Sequence, residues 1–186
     1  GFIEVVQSRS NILMERERAR EAERRAHELA YQDPLTGLPN RRALGEMLDT
    51  LVSDSGPDGA ALLIVDLDRF KAVNDVHGHL VGDELLRQVA HKLRQTVGGS
   101  GQAFRLGGDE FAIVATLGRG AAKRLADRLV GALGQPIEAG GLIHHIGASI
   151  GVAMAPHDAR DRETLMRKAD IALYDAKTHG RGTTRL

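Results

Sequence analysis

Apolar and polar positions change period several times along this chain of 186 residues, and each change marks an element. Met14 to Leu29 is almost entirely strong helix formers. A seven-residue spacing joins Val5, Ile12, Ala19 and Ala26, with Ala22 and Leu29 at the companion position. That pattern predicts a helix over residues 1–32 that pairs with its copy as a coiled coil. Ser8 and Glu15 interrupt the seam, so a solvated connector helix is the competing reading. Asp33 to Arg42 (DPLTGLPNRR) breaks the helix through Pro34, Gly37 and Pro39. Asn40 is placed to cap a second helix, whose Leu44, Met47, Leu48 and Leu51 follow the helical period.

After a loop at Ser53–Gly59, Ala60–Val65 is wholly apolar and short, which predicts a buried strand ending in Asp66-Leu67-Asp68. Phe70–Gly82 reads as a short helix and a loop, and Asp83–Val97 as a helix. Ala103–Leu106 and Phe111–Ala115 flank a Gly-Gly pair and read as a hairpin. Helix is expected over Arg119–Leu133, strand over Leu142–Met154, helix over Asp161–Thr178, and an edge strand within Arg181–Leu186. The order βα–ββ–αβ predicts an α+β fold: a ferredoxin-like or palm-like, mainly antiparallel sheet flanked by helices. Two units are expected, a signalling helix at 1–32 and a compact domain at 33–186.

Composition narrows the function. Charges balance at 25 basic and 25 acidic residues, which gives no general reason to expect nucleic-acid binding. With no cysteine there is no disulfide framework and no thiolate metal site. No apolar run in this chain reaches membrane-spanning length, and no signal peptide is evident. A cytoplasmic setting is expected, in a longer protein that could be membrane-anchored. The chain is read as a fragment, with a sensory domain upstream.

Candidate chemistry gathers at the hairpin RLGGDEF, Arg105 to Phe111. Gly107 and Gly108 accept positive φ and carry no Cβ, so a bulky group can approach that backbone. Asp109 and Glu110 stand at the tip. Asp66, at the end of the buried strand, together with Asp109 makes an oxygen-ligand pair suited to Mg²⁺, with the Leu67 carbonyl available beside it. Carboxylates with Mg²⁺ point to phosphate chemistry. Asp68 could equally cap the following helix. Lys177 and Arg181, four residues apart, are expected on one helical face as cations for outer phosphates, with Lys71 reaching the same groups. Asn74 and Asp83 offer the acceptors and donors that a guanine edge needs. His79 reads as a polar group near that pocket and not as a base. His144-His145 reads as a strand pair, not a metal site.

These residues fall in five ordered motifs: DPLTGLPNRR at 33–42, DLDRFKAVND at 66–75, GHLVGDELL at 78–86, RLGGDEF at 105–111 and ALYDAKTHGR at 172–181. In combination the chain resembles the GGDEF domain of diguanylate cyclases, which condense two GTP into cyclic di-GMP. The resemblance implies a homodimer and Mg²⁺ or Mn²⁺. It implies metal ligation by Asp66, Asp109 and the Leu67 carbonyl, and ribose 3′-OH deprotonation by one of Asp109 and Glu110. It implies Lys71 as a transition-state charge, Gly107 and Gly108 against the ribose and α-phosphate, Asn74 and Asp83 reading guanine, and Lys177 and Arg181 holding phosphates. Many members carry an inhibitory R-x-x-D motif nine residues ahead of the first signature glycine. Gly98 and Gly101 stand there instead, so feedback through that site is not expected. The competing functions are a non-catalytic GTP-binding domain that regulates an attached partner, such as a phosphodiesterase, and a pure dimerisation module.

Overall fold

The computed structural model describes residues 2–53 and 59–186, so most of the expected Ser53–Gly59 loop lies outside the described residues. A long helix, α1 (Phe2–Tyr31), precedes α2 (Arg41–Ser53) and the strand β1 (Ala60–Asp68). Two short-linked helices, α3 (Phe70–His77) and α4 (His79–Val97), lead to the hairpin β2 (Gly101–Gly107) and β3 (Glu110–Ala115). Then follow α5 (Arg119–Leu133), a small hairpin β4 (Ile137–Ala139) and β5 (Leu142–His144), the long strand β6 (Gly147–Ala155), α6 (Arg162–Thr178) and β7 (Thr184–Arg185). The main sheet has five strands in the order β2-β3-β1-β6-β7. All pairings are antiparallel except β6 with the edge strand β7. The α+β, mainly antiparallel expectation therefore holds.

β1 lies in the middle because it is apolar on both faces. Ala61, Leu63, Val65 and Leu67 pack with α4 and α5 residues such as Leu85, Val89, Leu125 and Leu129. Leu62 and Ile64 pack on the other face with Leu44 and Leu48 of α2 and Leu165 and Ala169 of α6. Burying each such side chain stabilises by roughly 1.5–3 kcal/mol. Strand alternation thus puts Asp66 on the α6 side and turns Leu67 to the opposite face. The α2 cap is as expected: Asn40 Oδ1 accepts from Ala43 N at 3.1 Å.

Three boundaries differ from the sequence reading. The expected loop before Asp83 is helix, because Gly78 alone, at φ 85°, turns α3 into α4. The expected strand Leu142–Met154 is two strands. β5 pairs with β4, and the chain leaves that pairing at His145-Ile146 before β6 joins β1. His144 is buried and His145 exposed, as the pattern implied. Asp68 does not cap α3, whose N-cap Arg69 makes no side-chain cap bond.

α1 touches the body only near its end, and its seam residues Val5, Ile12 and Leu29 are 59%, 46% and 82% exposed. Tyr31 donates from its hydroxyl to Glu46 at 2.7 Å, and the Arg42 guanidinium stacks 4.7 Å over the Tyr31 ring. Among the described residues no helix is long and apolar enough to cross a membrane.

β6 approaches α6 so closely that Gly151 has no room for a side chain. A Cβ there would lie 2.1 Å from the Ala169 carbonyl oxygen and 2.2 Å from Leu173 N. We expect Gly151→Ala to lower stability by about 2–3 kcal/mol, the usual scale of overpacking. A urea denaturation midpoint equal to that of the parent chain would show that α6 yields without cost.

Candidate functional site

The signature hairpin is shaped by its glycines and by one arginine. Gly107 and Gly108 sit at φ 131° and 52°, where L side chains are disfavoured, and the space in front of both is open for 4 Å. A register shift between Arg105 and Gly107 tightens the turn. Arg105 then fixes it. Its guanidinium donates to both Asp33 carboxylate oxygens at 3.0 Å and to the Gly108 carbonyl at 2.9 Å. Burial alone would raise the Asp33 carboxyl, but hydrogen bonds from Thr36 and Arg105 outweigh it and hold the group below the usual carboxylate range.

The acids converge where β1 and β3 end. Asp66 faces Glu110 in the strand register, and Leu67 N donates to the Asp109 carbonyl at 3.2 Å. Burial raises the Asp66 carboxyl first of all; Asp109 and Asp68 add to this, while Lys177 opposes it. The Lys177 ammonium lies 2.9 Å from Asp66 Oδ2. Glu110 is likewise raised, by burial and then by Asp66, with relief from Arg41. Arg41 donates to the Leu106 carbonyl at 3.3 Å and comes within 3.9 Å of Glu110. On α6, Asp170 is raised by burial and eased by the same arginine.

Among the described residues no three histidine or acidic side chains converge as a metal cluster. A cation here would rest on Asp66, Asp109 and a backbone carbonyl. That small donor set suits Mg²⁺, which keeps several waters and takes further oxygens from substrate phosphates. The excess of half-buried negative charge at Asp66 is the feature that a cation would relieve.

Asn74 lies on α3 and Asp83 in the first turns of α4, on either side of the Gly78 corner. Asn74 Oδ1 is buried without a hydrogen-bond partner among the described residues, which is costly unless something donates to it. Gly82 makes room for it, since a Cβ there would lie 1.8 Å from that oxygen. His79 is exposed at the first position of α4, and Lys71 is exposed in the first turn of α3. Arg181 corrects the sequence reading. α6 stops at Thr178, so Arg181 does not share a helical face with Lys177. It lies in the tail at φ 54°, between Gly180 and Gly182. Lys177 meets Asp66 and not open solvent. At the opposite end of β2, Gly101 cannot carry a side chain, because its Cβ would lie 2.3 Å from the Val114 carbonyl oxygen.

Arg41, Asp170 and Ser149 escaped the sequence reading. Asp68 carried one usable signal, because two residues along a strand it must share the buried face of Asp66.

A family model described as diguanylate cyclase, GGDEF domain, matches residues 30–183. The chain is 42% identical over 163 residues to the bifunctional diguanylate cyclase/cyclic di-GMP phosphodiesterase MucR of Pseudomonas aeruginosa, covering 86% of this chain and 24% of MucR. It is 39% identical over 166 residues to the diguanylate cyclase TpbB of that species, covering 87% of this chain and 38% of TpbB. The chain thus spans well under half the length of these curated relatives. The crystal structure of the coiled coil and GGDEF domain of DgcB from Caulobacter crescentus, in complex with c-di-GMP, superposes with TM-score 0.85 at 27% identity, covering 95% of each chain.

The Gly82 geometry yields a prediction. Gly82→Ala should displace Asn74 and weaken binding of a guanine nucleotide at least about tenfold, while the sheet stays folded. Equilibrium binding of GMP beside a circular dichroism melt checks both halves. Unchanged binding would remove Asn74 from the site.

Proposed function

The chain belongs to the GGDEF family, and from that footing we propose that it is a diguanylate cyclase, two copies condensing two GTP into cyclic di-GMP and two pyrophosphates. The observation that carries this reading is the meeting of Asp66, Asp109 and Glu110 at one end of the inner strands β1 and β3, beside the open Gly107-Gly108 turn.

The roles follow from position. The guanine edge enters the α3–α4 corner, where Asp83 accepts its N–H groups and Asn74 gains the donor that its Oδ1 lacks. The ribose and α-phosphate lie against Gly107 and Gly108, where no Cβ intervenes. Asp66, Asp109 and the Leu67 carbonyl hold Mg²⁺ or Mn²⁺, which when bound neutralises the triphosphate and polarises the attacking hydroxyl. One of Asp109 and Glu110 takes the 3′-OH proton. The raised Glu110 carboxyl lies nearer the range in which an acid exchanges protons at neutral pH. The freed oxygen attacks the α-phosphorus of the facing nucleotide, and the bond to pyrophosphate breaks. Lys71, Lys177 and Arg181 meet the charge on the leaving phosphates.

One chain holds one nucleotide, so both bonds form when two copies face each other about a two-fold axis, which repeats one patch on both sides. That encounter must open to release product, and α1 supplies the lasting contact through its exposed seam.

Purified chain with GTP and Mg²⁺ is expected to yield pyrophosphate and a cyclic dinucleotide. Asp66→Asn should cut turnover roughly a hundredfold or more with the fold intact. Nucleotide binding without any turnover in the parent chain would instead favour the regulatory, non-catalytic reading.

Deleting residues 1–30 should leave a folded, GTP-binding, mostly monomeric domain. Its specific activity should climb steeply with concentration, because the tether that supplies a local concentration of roughly millimolar is gone. Specific activity independent of concentration down to nanomolar protein would remove the tethering role from α1.

A further inference from the structure

Among the described residues Asp68 is the most buried carboxylate. It is only 8% exposed, at the last position of β1. Its Oδ1 accepts from the Ser149 hydroxyl at 3.0 Å, and Ser149 is fully buried. Its Oδ2 accepts from Gly182 N at 2.9 Å, and from the same hydroxyl at 3.3 Å. Across the sheet, Gly147 pairs with Asp68, and a Cβ on Gly147 would come within 3.3 Å of Oδ2. A side chain there would crowd the carboxylate, which would have to give by a few tenths of an ångström.

The Gly182 bond matters because of its neighbour. Arg181 is one of two non-glycine residues with positive φ in the described chain, at 54°. An L side chain holds that conformation only where its surroundings impose it. On one side, Arg181 N donates back to the Ala176 carbonyl at 3.2 Å. On the other, the next backbone N–H is bound by the Asp68 carboxylate. Further along, Ile150 N donates to the Thr183 carbonyl at 3.0 Å, and the Thr184 hydroxyl donates to Asp127 at 2.8 Å. These later ties fix β7. The two around Arg181 fix the turn itself. A bond from a backbone N–H to a buried carboxylate is among the stronger ones.

We infer that Asp68 is a positioning residue that locks the left-handed turn at Arg181, so that the strand carrying Asp66 also sets the arm that holds the outer phosphates. This rests on the proposed role of Arg181 as a phosphate anchor. Asp68 touches no substrate. It acts through the Gly182 amide, and its effect is confined to the part of the nucleotide that Arg181 meets.

The test separates that effect from general damage. Binding of 3′-deoxy-GTP and of 3′-deoxy-GMP, neither of which can react onward, is measured with Mg²⁺ for the parent chain, Asp68→Ala, Arg181→Ala and the double variant. Arg181→Ala should weaken the triphosphate roughly tenfold and leave the monophosphate unchanged. Asp68→Ala should do the same, and should add little to Arg181→Ala in the double variant. Amide hydrogen exchange at residues 180–183 should quicken in Asp68→Ala while β1 and β3 keep their protection. Should Asp68→Ala fail to fold, Asp68→Asn keeps the side chain's shape and one acceptor, and a several-fold loss restricted to the triphosphate is expected. Equal losses for both nucleotides, additive effects in the double variant, or unchanged triphosphate binding would overturn the inference. If Arg181→Ala itself leaves triphosphate binding intact, the phosphate-anchor reading fails and the inference falls with it.

Discussion

The Arg105 guanidinium lies nearly buried between acceptors from distant parts of the chain. Asp33 closes the segment that follows α1, and Gly108 is the tip of the signature turn. Arg105 N also donates to the Pro39 carbonyl at 2.9 Å, so backbone and side chain clamp the same segment. Thr36 satisfies what remains of Asp33. Breaking a pair this dry strands a buried charge, at a cost of about 3–5 kcal/mol. The next residues extend the clamp in two directions. Arg41 reaches the hairpin at Leu106, while Arg42 stacks on Tyr31 at the end of α1. The helix, the turn and the acidic tip are therefore one mechanical unit, although α1 buries almost nothing in a single copy.

With the tip fixed, the chemistry falls at strand ends for a physical reason. The interior of β1 is buried on both faces and tolerates no charge. Only at Asp66 does the sheet become half-wet. There burial raises the carboxyl, as it also raises Glu110 on β3 and Asp170 on α6. Lys177 beside Asp66, and Arg41 beside Glu110 and Asp170, oppose that rise.

The elements most legible in the sequence were those whose pattern reports packing. β1 follows from an unbroken apolar run, α5 and α6 from apolar period, and the Asn40 cap from its type and place. Patterns that report backbone conformation misled. Gly78 and Gly82 look like loop residues, yet one makes a corner and the other admits Asn74 into a helix–helix contact. Inward–outward alternation runs unbroken from His144 to Met154, so it cannot reveal that the strand changes partners at His145-Ile146. The three-residue strands β4 and β5 are too short for alternation to register at all. Helical spacing puts Arg181 on the face of Lys177, whereas two bonds after the helix end, from Arg181 N to the Ala176 carbonyl and from Gly182 N to the Asp68 carboxylate, decide its position. The motifs themselves are legible in the sequence, but the ties around them, Arg41 to Leu106 and Asp68 to Gly182, run between segments far apart in sequence.

Lys177 links these themes. In the free chain its ammonium lies 2.9 Å from Asp66, so the acid is partly compensated. Under the proposed function, a divalent cation arriving at Asp66 would compete with that ammonium, and affinity for the bare ion would be blunted. A cation that brings a triphosphate offers the displaced lysine a new set of oxygens. Under the proposed function, the two ligands then favour each other by the same free energy, whichever arrives first. The half-buried position of Lys177 suits such an exchange. A deeper lysine would stay locked on Asp66, and an exposed one would have no need to choose.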